Sequence, residues 1–252
     1  MNTILVPISS LKEKKATIIY AIDFAKYFGS KIYGIQINAI SEDDHLEEIM
    51  DYANANDVSI NFRPVNGHII DYVEEFSESF NIDLIIASAR TPKTNEKFYL
   101  DHLSGSIVRK TVVPVLLIPE HYKFKPYKTV LTAVKSGVVR LKGAMDPLHS
   151  IQEKFKTQTT LLQVKTPEFI SEDLMFDKDL AAVTSKYYST ENATLFQGLL
   201  EYIHVVNPDL ICVFRRKRGF FEKLWSTTLN DNSVRKSDFE SRLPLLVLKG
   251  EQ

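Results

Sequence analysis

The fold of this chain is constrained most strongly by two apolar runs, which are separated by a polar loop and a short helical segment. Residues 83–88 form the first run, residues 112–118 form the second, and Ser104-Gly105-Ser106 lies between them. Short apolar runs of this kind are typical of parallel strands buried on both faces. The stretch 81–120 therefore predicts a β-α-β unit whose helix starts at Ser104-Gly105-Ser106. Ligands bind at such strand ends in open α/β sheets, and free N–H groups at a helix start suit phosphate.

The same landmarks recur in the second half of the chain. Asp83 and Asp209 are about 126 residues apart, and Ser106 and Ser233 have nearly the same offset. The apolar runs at 3–8, 32–37 and 113–118 are repeated at 129–134, 160–164 and 243–248. A constant offset over several landmarks indicates an internal duplication.

Strands and helices alternate in each half. Between the apolar runs of the first half lie segments with helical spacing, for example Ala21, Phe24, Ala25 and Phe28. This order predicts an α/β fold of two tandem Rossmann-like domains, each a five-stranded parallel doubly wound sheet. The expected domains are 1–120 and 127–250, joined by a polar linker. The region 170–194 matches the repeat least, and its strand is placed near residues 187–189.

Composition narrows the function classes. The chain has 31 basic and 32 acidic residues and a net charge of −1. Its overall charge therefore gives no electrostatic attraction toward nucleic acid or an anionic membrane. No apolar run approaches the roughly 20 residues of a membrane span, and we find no signal peptide. Cys212 is the single cysteine and lies in an apolar run, which predicts a small buried core residue. Together these features favour the cytoplasm.

Four short motifs, in this order, resemble those of the universal stress protein family. They are residues 4–7, residues 83–86, Gly105-Ser106 and residues 114–116. The resemblance covers nearly the whole chain as two tandem domains, and it implies the adenine nucleotide alpha hydrolase-like form of the Rossmann fold. It also implies a stress-response or regulatory function that acts by binding, without catalysis.

Family members that bind ATP share a glycine pattern, and the first half of this chain departs from it. The pattern is glycine, two residues, glycine, nine residues, then glycine with serine or threonine, which lets the backbone approach phosphates closely. Here the first two glycine positions hold Ser88 and Thr91, and the loop that follows is longer. An aspartate after the first strand is replaced by Ser9, and only Gly105-Ser106 remains. The resemblance leaves one candidate site for ATP or another adenine nucleotide, made of Pro7, Ser9, Ser88, Arg90, Gly105 and Ser106.

The second half departs further from the pattern. Phe214 and Lys217 hold its first two glycine positions, and Lys135 holds the aspartate position. A side chain as large as Phe214 would fill the space that phosphates need. A replacement ligand is conceivable, because Arg215, Arg216 and Arg218 follow the fourth strand and guanidinium groups bind anions. The alternative is a solvated basic loop whose charge is balanced by acidic neighbours.

The residues at the positions of the nucleotide pattern leave three function classes open. The first is regulatory binding without catalysis, the second is an ATP-binding sensor with slow hydrolysis at Gly105-Ser106, and the third is an interaction scaffold with filled pockets. Pro114 and Pro244 lie in the last strand of each half, where an edge tolerates proline. The resemblance implies that these strands pair the two halves as an intramolecular pseudo-dimer. The remaining edges would allow a homodimer or a protein partner.

Overall fold

The fold is that of a computed structural model, which describes residues 1–8, 11–37, 44–65, 69–89, 102–120, 122–215 and 243–250. These residues form two compact units that meet in the chain between Lys125 and Pro126. Each unit is described separately below.

Strands and helices alternate through the first unit. In chain order its elements are β1 (Thr3–Ile8), α1 (Leu11–Phe28), β2 (Lys31–Ile37), α2 (Asp44–Ala55), β3 (Ile60–Val65), α3 (Ile69–Ser79), β4 (Leu84–Ala89), α4 (His102–Lys110) and β5 (Val115–Pro119). Gly29 follows α1 with a φ of 64°, the left-handed conformation that suits glycine after a helix.

The first sheet is parallel, with the strand order β3-β2-β1-β4-β5. All six residues of β1 are buried, as a central strand covered on both faces requires. Helix α1 packs with α2 and helix α3 packs with α4, and both pairs contact the sheet. Strands β1 to β3 are added toward one side of the sheet, and β4 and β5 toward the other. The switch point of this unit therefore lies at the carboxyl ends of β1 and β4.

The described part of the second unit repeats this order as far as its fourth strand and adds one 3₁₀ turn. Its elements are β6 (Thr129–Val134), α5 (Asp146–Phe155), β7 (Gln158–Lys165), a 3₁₀ turn (Ser171–Leu174), α6 (Lys178–Val183), β8 (Thr184–Glu191), α7 (Leu195–Val206), β9 (Leu210–Arg215) and β10 (Leu245–Lys249). The strand order is β10-β9-β6-β7-β8, again parallel. Two parallel five-stranded sheets confirm the predicted α/β fold, and β8 contains residues 187–189.

The internal duplication extends to single hydrogen bonds. Oδ2 of Asp83 accepts from the backbone N–H groups of Asn2 (2.5 Å) and Thr3 (3.1 Å). Oδ2 of Asp209 accepts in the same way from Lys128 (2.9 Å) and Thr129 (3.2 Å). Each aspartate therefore ties the amino end of the central strand to the start of the fourth strand of its unit, which gives these two landmarks a structural role.

Candidate functional site

Pro7 shortens the pairing between the two strands that flank the switch point of the first unit. The carbonyl of Thr3 accepts from Asp83 N–H at 3.0 Å, so the backbone groups of Thr3, and by alternation those of Pro7, face β4. Proline has no N–H to continue this ladder. The β1–β4 pairs accordingly stop at Leu5 with Ile85, whereas β1 pairs with β2 as far as Ile8.

The second unit has no proline at the corresponding position of its central strand. Ala133, which stands where Pro7 does in the repeat, pairs with Val213, so the β6–β9 ladder extends two residues further than its counterpart. Pro7 therefore ends the backbone pairing of β1 with β4 before the carboxyl ends of the two strands, and we describe the strands as parting beyond Leu5 and Ile85 in this sense.

A lysine lies where β1 and β4 part. Nζ of Lys14, in the first turns of α1, donates a hydrogen bond to Oγ of Ser88 near the end of β4. Both side chains are half-buried. Ser88 occupies a glycine position of the nucleotide pattern, so a hydroxyl and an ammonium stand where that pattern would leave bare backbone.

Sequence reasoning missed Lys14. The signal that could have found it is its place in the first turns of the helix directly after β1, because α1 begins at Leu11 and its start lies at the edge where β1 ends. Ser9 and Arg90, which the sequence also assigned to this site, lie outside the described residues, as does the loop between β4 and α4.

The prediction that Ser104-Gly105-Ser106 starts a helix is wrong by two residues, because α4 begins at His102. Gly105 and Ser106 instead lie inside the helix, and both are buried. Glycine lowers helix propensity by about 1 kcal/mol, but its lack of a side chain suits close packing, and α4 packs on β4 and β5. Oγ of Ser106 accepts from Nη2 of Arg109 at 3.3 Å.

The corresponding strand ends of the second unit are crossed by the unit's own chain. Residues 135–145 connect β6 to α5, whereas only residues 9–10 connect β1 to α1. In this long connection the N–H of Arg140 donates to the carbonyl of Gly250 at 3.4 Å, just after β10. Strand β9 lies between β6 and β10, so the connection passes over the carboxyl end of β9.

Two further contacts involve this connection and the end of β9. Gly137 donates to the carbonyl of Asp173 at 3.3 Å, and a Cβ added to Gly137 would stand 2.5 Å from the ring of Phe176. Phe214, at a glycine position of the nucleotide pattern, is buried. A Cβ added to Gly250 would lie 3.2 Å from the Cβ of Phe214, so the two residues pack closely. The Phe214 side chain therefore lies against the backbone that follows β10.

Arg215 ends β9 beside a second cation that the sequence analysis missed. Arg215 pairs in register with Lys249 of β10, which places both side chains on one face of the sheet. Burial lowers the pKa of Arg215, and burial followed by the charge of Arg215 lowers the pKa of Lys249. Arg216 and Arg218 lie outside the described residues.

The described residues offer little for other chemistries. Cys212 is fully buried as predicted, and burial raises the pKa of its thiol to about 12, so it is a poor nucleophile at neutral pH. Across the described ranges no three histidine, cysteine or acidic side chains are grouped to hold a metal ion. In the same part of the chain no helix combines the length and apolar character needed to cross a membrane.

Comparison with known proteins gives the fold. No protein-family model matches the chain, and no curated protein matches it in sequence. A universal stress protein from Archaeoglobus fulgidus DSM 4304 matches over 99% of both chains, with a TM-score of 0.65 and 16% identity. A functionally unknown protein from Pseudomonas aeruginosa PAO1 matches over 99% of this chain and 93% of its own, with a TM-score of 0.63 and 15% identity.

The fold also occurs outside stress proteins. The cytoplasmic domain of a prokaryotic cation chloride cotransporter matches over 100% of this chain and 97% of its own, with a TM-score of 0.54 and 10% identity. At such identities the likeness is one of fold. The chain has the fold of a tandem universal stress protein, as its four motifs predicted, and its function has to be argued from its sites.

Proposed function

We propose that this protein is a stress-response or regulatory protein that acts by binding rather than by catalysis, with its small-ligand site in the first unit. One asymmetry carries the proposal. Lys14 contacts Ser88 where β1 and β4 part, whereas residues 135–145 cross the corresponding strand ends of the second unit. The glycine pattern for ATP is degenerate in both halves, so side chains rather than bare backbone would hold the ligand.

The charge of Lys14 supports an anionic ligand. An ammonium at the switch point of a parallel sheet attracts phosphate or carboxylate groups, and hydrogen bonds to charged groups are roughly twice as strong as neutral ones. The hydroxyl of Ser88 can donate to the ligand while it accepts from Lys14. By sequence position, Ser9 and Arg90 complete the proposed site.

A second candidate is an ATP-binding sensor that uses Gly105-Ser106 and hydrolyses ATP slowly. The observation that favours it is the Ser106 hydroxyl, which lies buried in α4 and accepts from the Arg109 guanidinium. ATP or another adenine nucleotide would bring phosphates to both groups. In this case Ser106, more than Lys14, would determine nucleotide affinity.

A third candidate, which a ligand that persists in Lys14→Met would favour, is an anion site in the second unit. Arg215 was grouped with Arg216 and Arg218 from sequence, and we propose that Lys249 joins Arg215 in this role because the two cations share one face of adjacent strands. A bound anion would relieve the repulsion between them. The cytoplasmic location, the pairing of the halves through their last strands and the homodimer stay predictions from sequence.

Calorimetric titration tests the proposal, with pyrophosphate and ATP as separate probes. The proteins compared are the wild type, the variants Lys14→Met and Ser106→Ala, and the control variant Lys26→Met. Lys26 lies in the last turn of the same helix and contacts Asn56 at 3.1 Å. The binding proposal expects both probes to bind, Lys14→Met to weaken them about tenfold or more, and no ADP to form. Loss of ATP alone in Ser106→Ala, with ADP formation, favours the sensor. Unchanged affinities in Lys14→Met contradict the proposed site.

A further inference from the structure

An exposed apolar surface lies in the part of the second unit that departs most from the internal repeat. Residues 166–177 connect β7 to α6, whereas residues 38–43 connect β2 to α2 in the first unit, so the second connection is longer. Large apolar side chains of this connection and of the following strand are exposed, with fractions of 57% for Ile170, 52% for Leu174, 66% for Met175, 36% for Phe176 and 47% for Tyr187. Exposed apolar groups that cluster in this way mark interaction sites.

The sheet holds this connection in place. Gln163, fully buried in β7, donates from Nε2 to the carbonyl of Asp173 at 2.7 Å, and its Oε1 accepts from the Tyr187 hydroxyl at 2.7 Å. Gly137 adds two backbone bonds, to the carbonyl of Asp173 (3.3 Å) and from the N–H of Asp177 (2.9 Å). The apolar side chains are therefore presented by an anchored backbone.

Aromatic packing joins the connection to the edge of the sheet. The rings of Phe176 and Tyr187 meet edge to face, with centroids 5.5 Å apart. Because β8 is the last strand in the order β10-β9-β6-β7-β8, Tyr187 extends the apolar surface along the sheet edge of this unit. We call Ile170, Leu174, Met175, Phe176 and Tyr187 the 170–187 surface.

Carboxylates are interleaved in sequence with the residues of the 170–187 surface, and we call them its acidic rim. Between residues 167 and 180 there is one lysine, Lys178, against five carboxylates, which are Glu168, Glu172, Asp173, Asp177 and Asp179. Glu168 is 77% exposed, and its only described ion pair, with Lys135, is long at 3.5 Å. An apolar centre with an acidic rim is complementary to a segment that carries apolar anchors flanked by lysine or arginine.

We propose that the 170–187 surface is a docking site for a positively charged amphipathic segment of a partner protein. The apolar face of that segment would cover Ile170, Leu174 and Met175, and its basic residues would meet the acidic rim. The flexible thioether of Met175 suits a surface that adapts to its partner. This site is independent of the small-ligand site in the first unit.

Fluorescence anisotropy with a labelled amphipathic helical peptide of leucine and lysine tests this directly on the full-length protein. We expect saturable binding that weakens with salt, and little binding of the matched leucine–glutamate peptide. The double variant Leu174→Ser/Met175→Ser should bind the basic peptide about tenfold or more weakly. Glu172→Gln should reduce the salt dependence, because it removes one rim charge.

Two controls separate docking from general stickiness. Val205→Ser removes a 64% exposed apolar side chain of α7 that is not part of the 170–187 surface, and Glu153→Gln removes an exposed charge of α5; neither should change the affinity. Equal binding of both peptides, or an unchanged affinity in Leu174→Ser/Met175→Ser, would overturn the proposal. A wild-type dimer that this double variant converts to a monomer in sedimentation equilibrium would also overturn it, since the occupant would then be a second copy.

Discussion

The ammonium of Lys14 and the hydroxyl of Ser88 are hydrogen-bonded across the strand ends where β1 and β4 part. This contact brings a helix start and a strand end together over 74 residues of chain. It places a positive charge at the switch point of the first unit, and the account of ligand binding depends on it.

Replacement of Lys14 by methionine should abolish anion-induced stabilisation. Pyrophosphate should raise the Tm of the wild type, and the rise should shrink with added salt, because binding stabilises the folded state and screening weakens the attraction. Lys14→Met should show almost no rise, and Lys26→Met should behave as the wild type does. Equal rises in all three proteins would show that the anion binds elsewhere.

Replacement of Pro7 by alanine should extend the pairing of β1 with β4. The alanine N–H can donate toward β4, as Ala133 pairs with Val213 in the second unit. We expect about 0.5–1.5 kcal/mol of added stability if one net hydrogen bond forms, together with weaker pyrophosphate binding. Urea unfolding and calorimetry measure the two effects. Ala133→Gly, at the corresponding position, should destabilise without changing pyrophosphate binding.

Lys249→Met should stabilise the second unit in the absence of ligand, because it removes a like charge beside Arg215. The pKa of Lys249 is lowered in the folded state, by burial first and by Arg215 second. Between that lowered pKa and the ordinary value of 10.5 the unfolded state binds more protons, so wild-type stability should rise with pH in this alkaline window. The repulsion is present in full below the lowered pKa.

The gain from Lys249→Met should stay within about 1 kcal/mol, since both side chains are partly exposed. Denaturant unfolding at neutral and alkaline pH provides the measurement, with Lys128→Met, directly before the amino end of the central strand β6, as the control. A Lys249→Met variant that is less stable than the wild type at neutral pH would mean that Lys249 contributes packing or a partner that outweighs the repulsion.

Asp83→Ala and Asp209→Ala should destabilise their units by similar amounts. Each carboxylate accepts two backbone N–H groups at the start of a central strand, and loss of such charge-assisted bonds costs about 1.5–3 kcal/mol. Chemical denaturation of the two variants measures the losses. Asn at either position, which keeps one acceptor oxygen, should recover part of the loss. A large effect in one unit alone would contradict the structural equivalence of the two landmarks.

Sequence reasoning reached the parts of this protein that depend on local pattern and repeat. The paired landmarks Asp83 and Asp209, the buried Cys212 and the strand at residues 187–189 follow from apolar runs and a constant offset. The helix start was misplaced because Gly105 reads as a helix boundary, whereas here it lies in the helix interior.

Long-range contacts were beyond that reasoning. Lys249 reaches Arg215 through strand register, and Phe176 reaches Gly137 through the anchored connection after β7, so neither neighbour can be read from sequence spacing. The crossing of the β9 end by residues 135–145 likewise depends on the hydrogen bond between Arg140 and Gly250. These contacts distinguish the second unit from the first.

Native mass spectrometry of the full-length protein with pyrophosphate or ATP tests the central claim most directly. The account predicts one tightly bound ligand per chain in the wild type, its loss in Lys14→Met and its retention in Lys26→Met, because residues 135–145 cross the corresponding strand ends of the second unit. A single ligand that persists in Lys14→Met, or a bare wild-type chain at saturating ligand, would contradict the account.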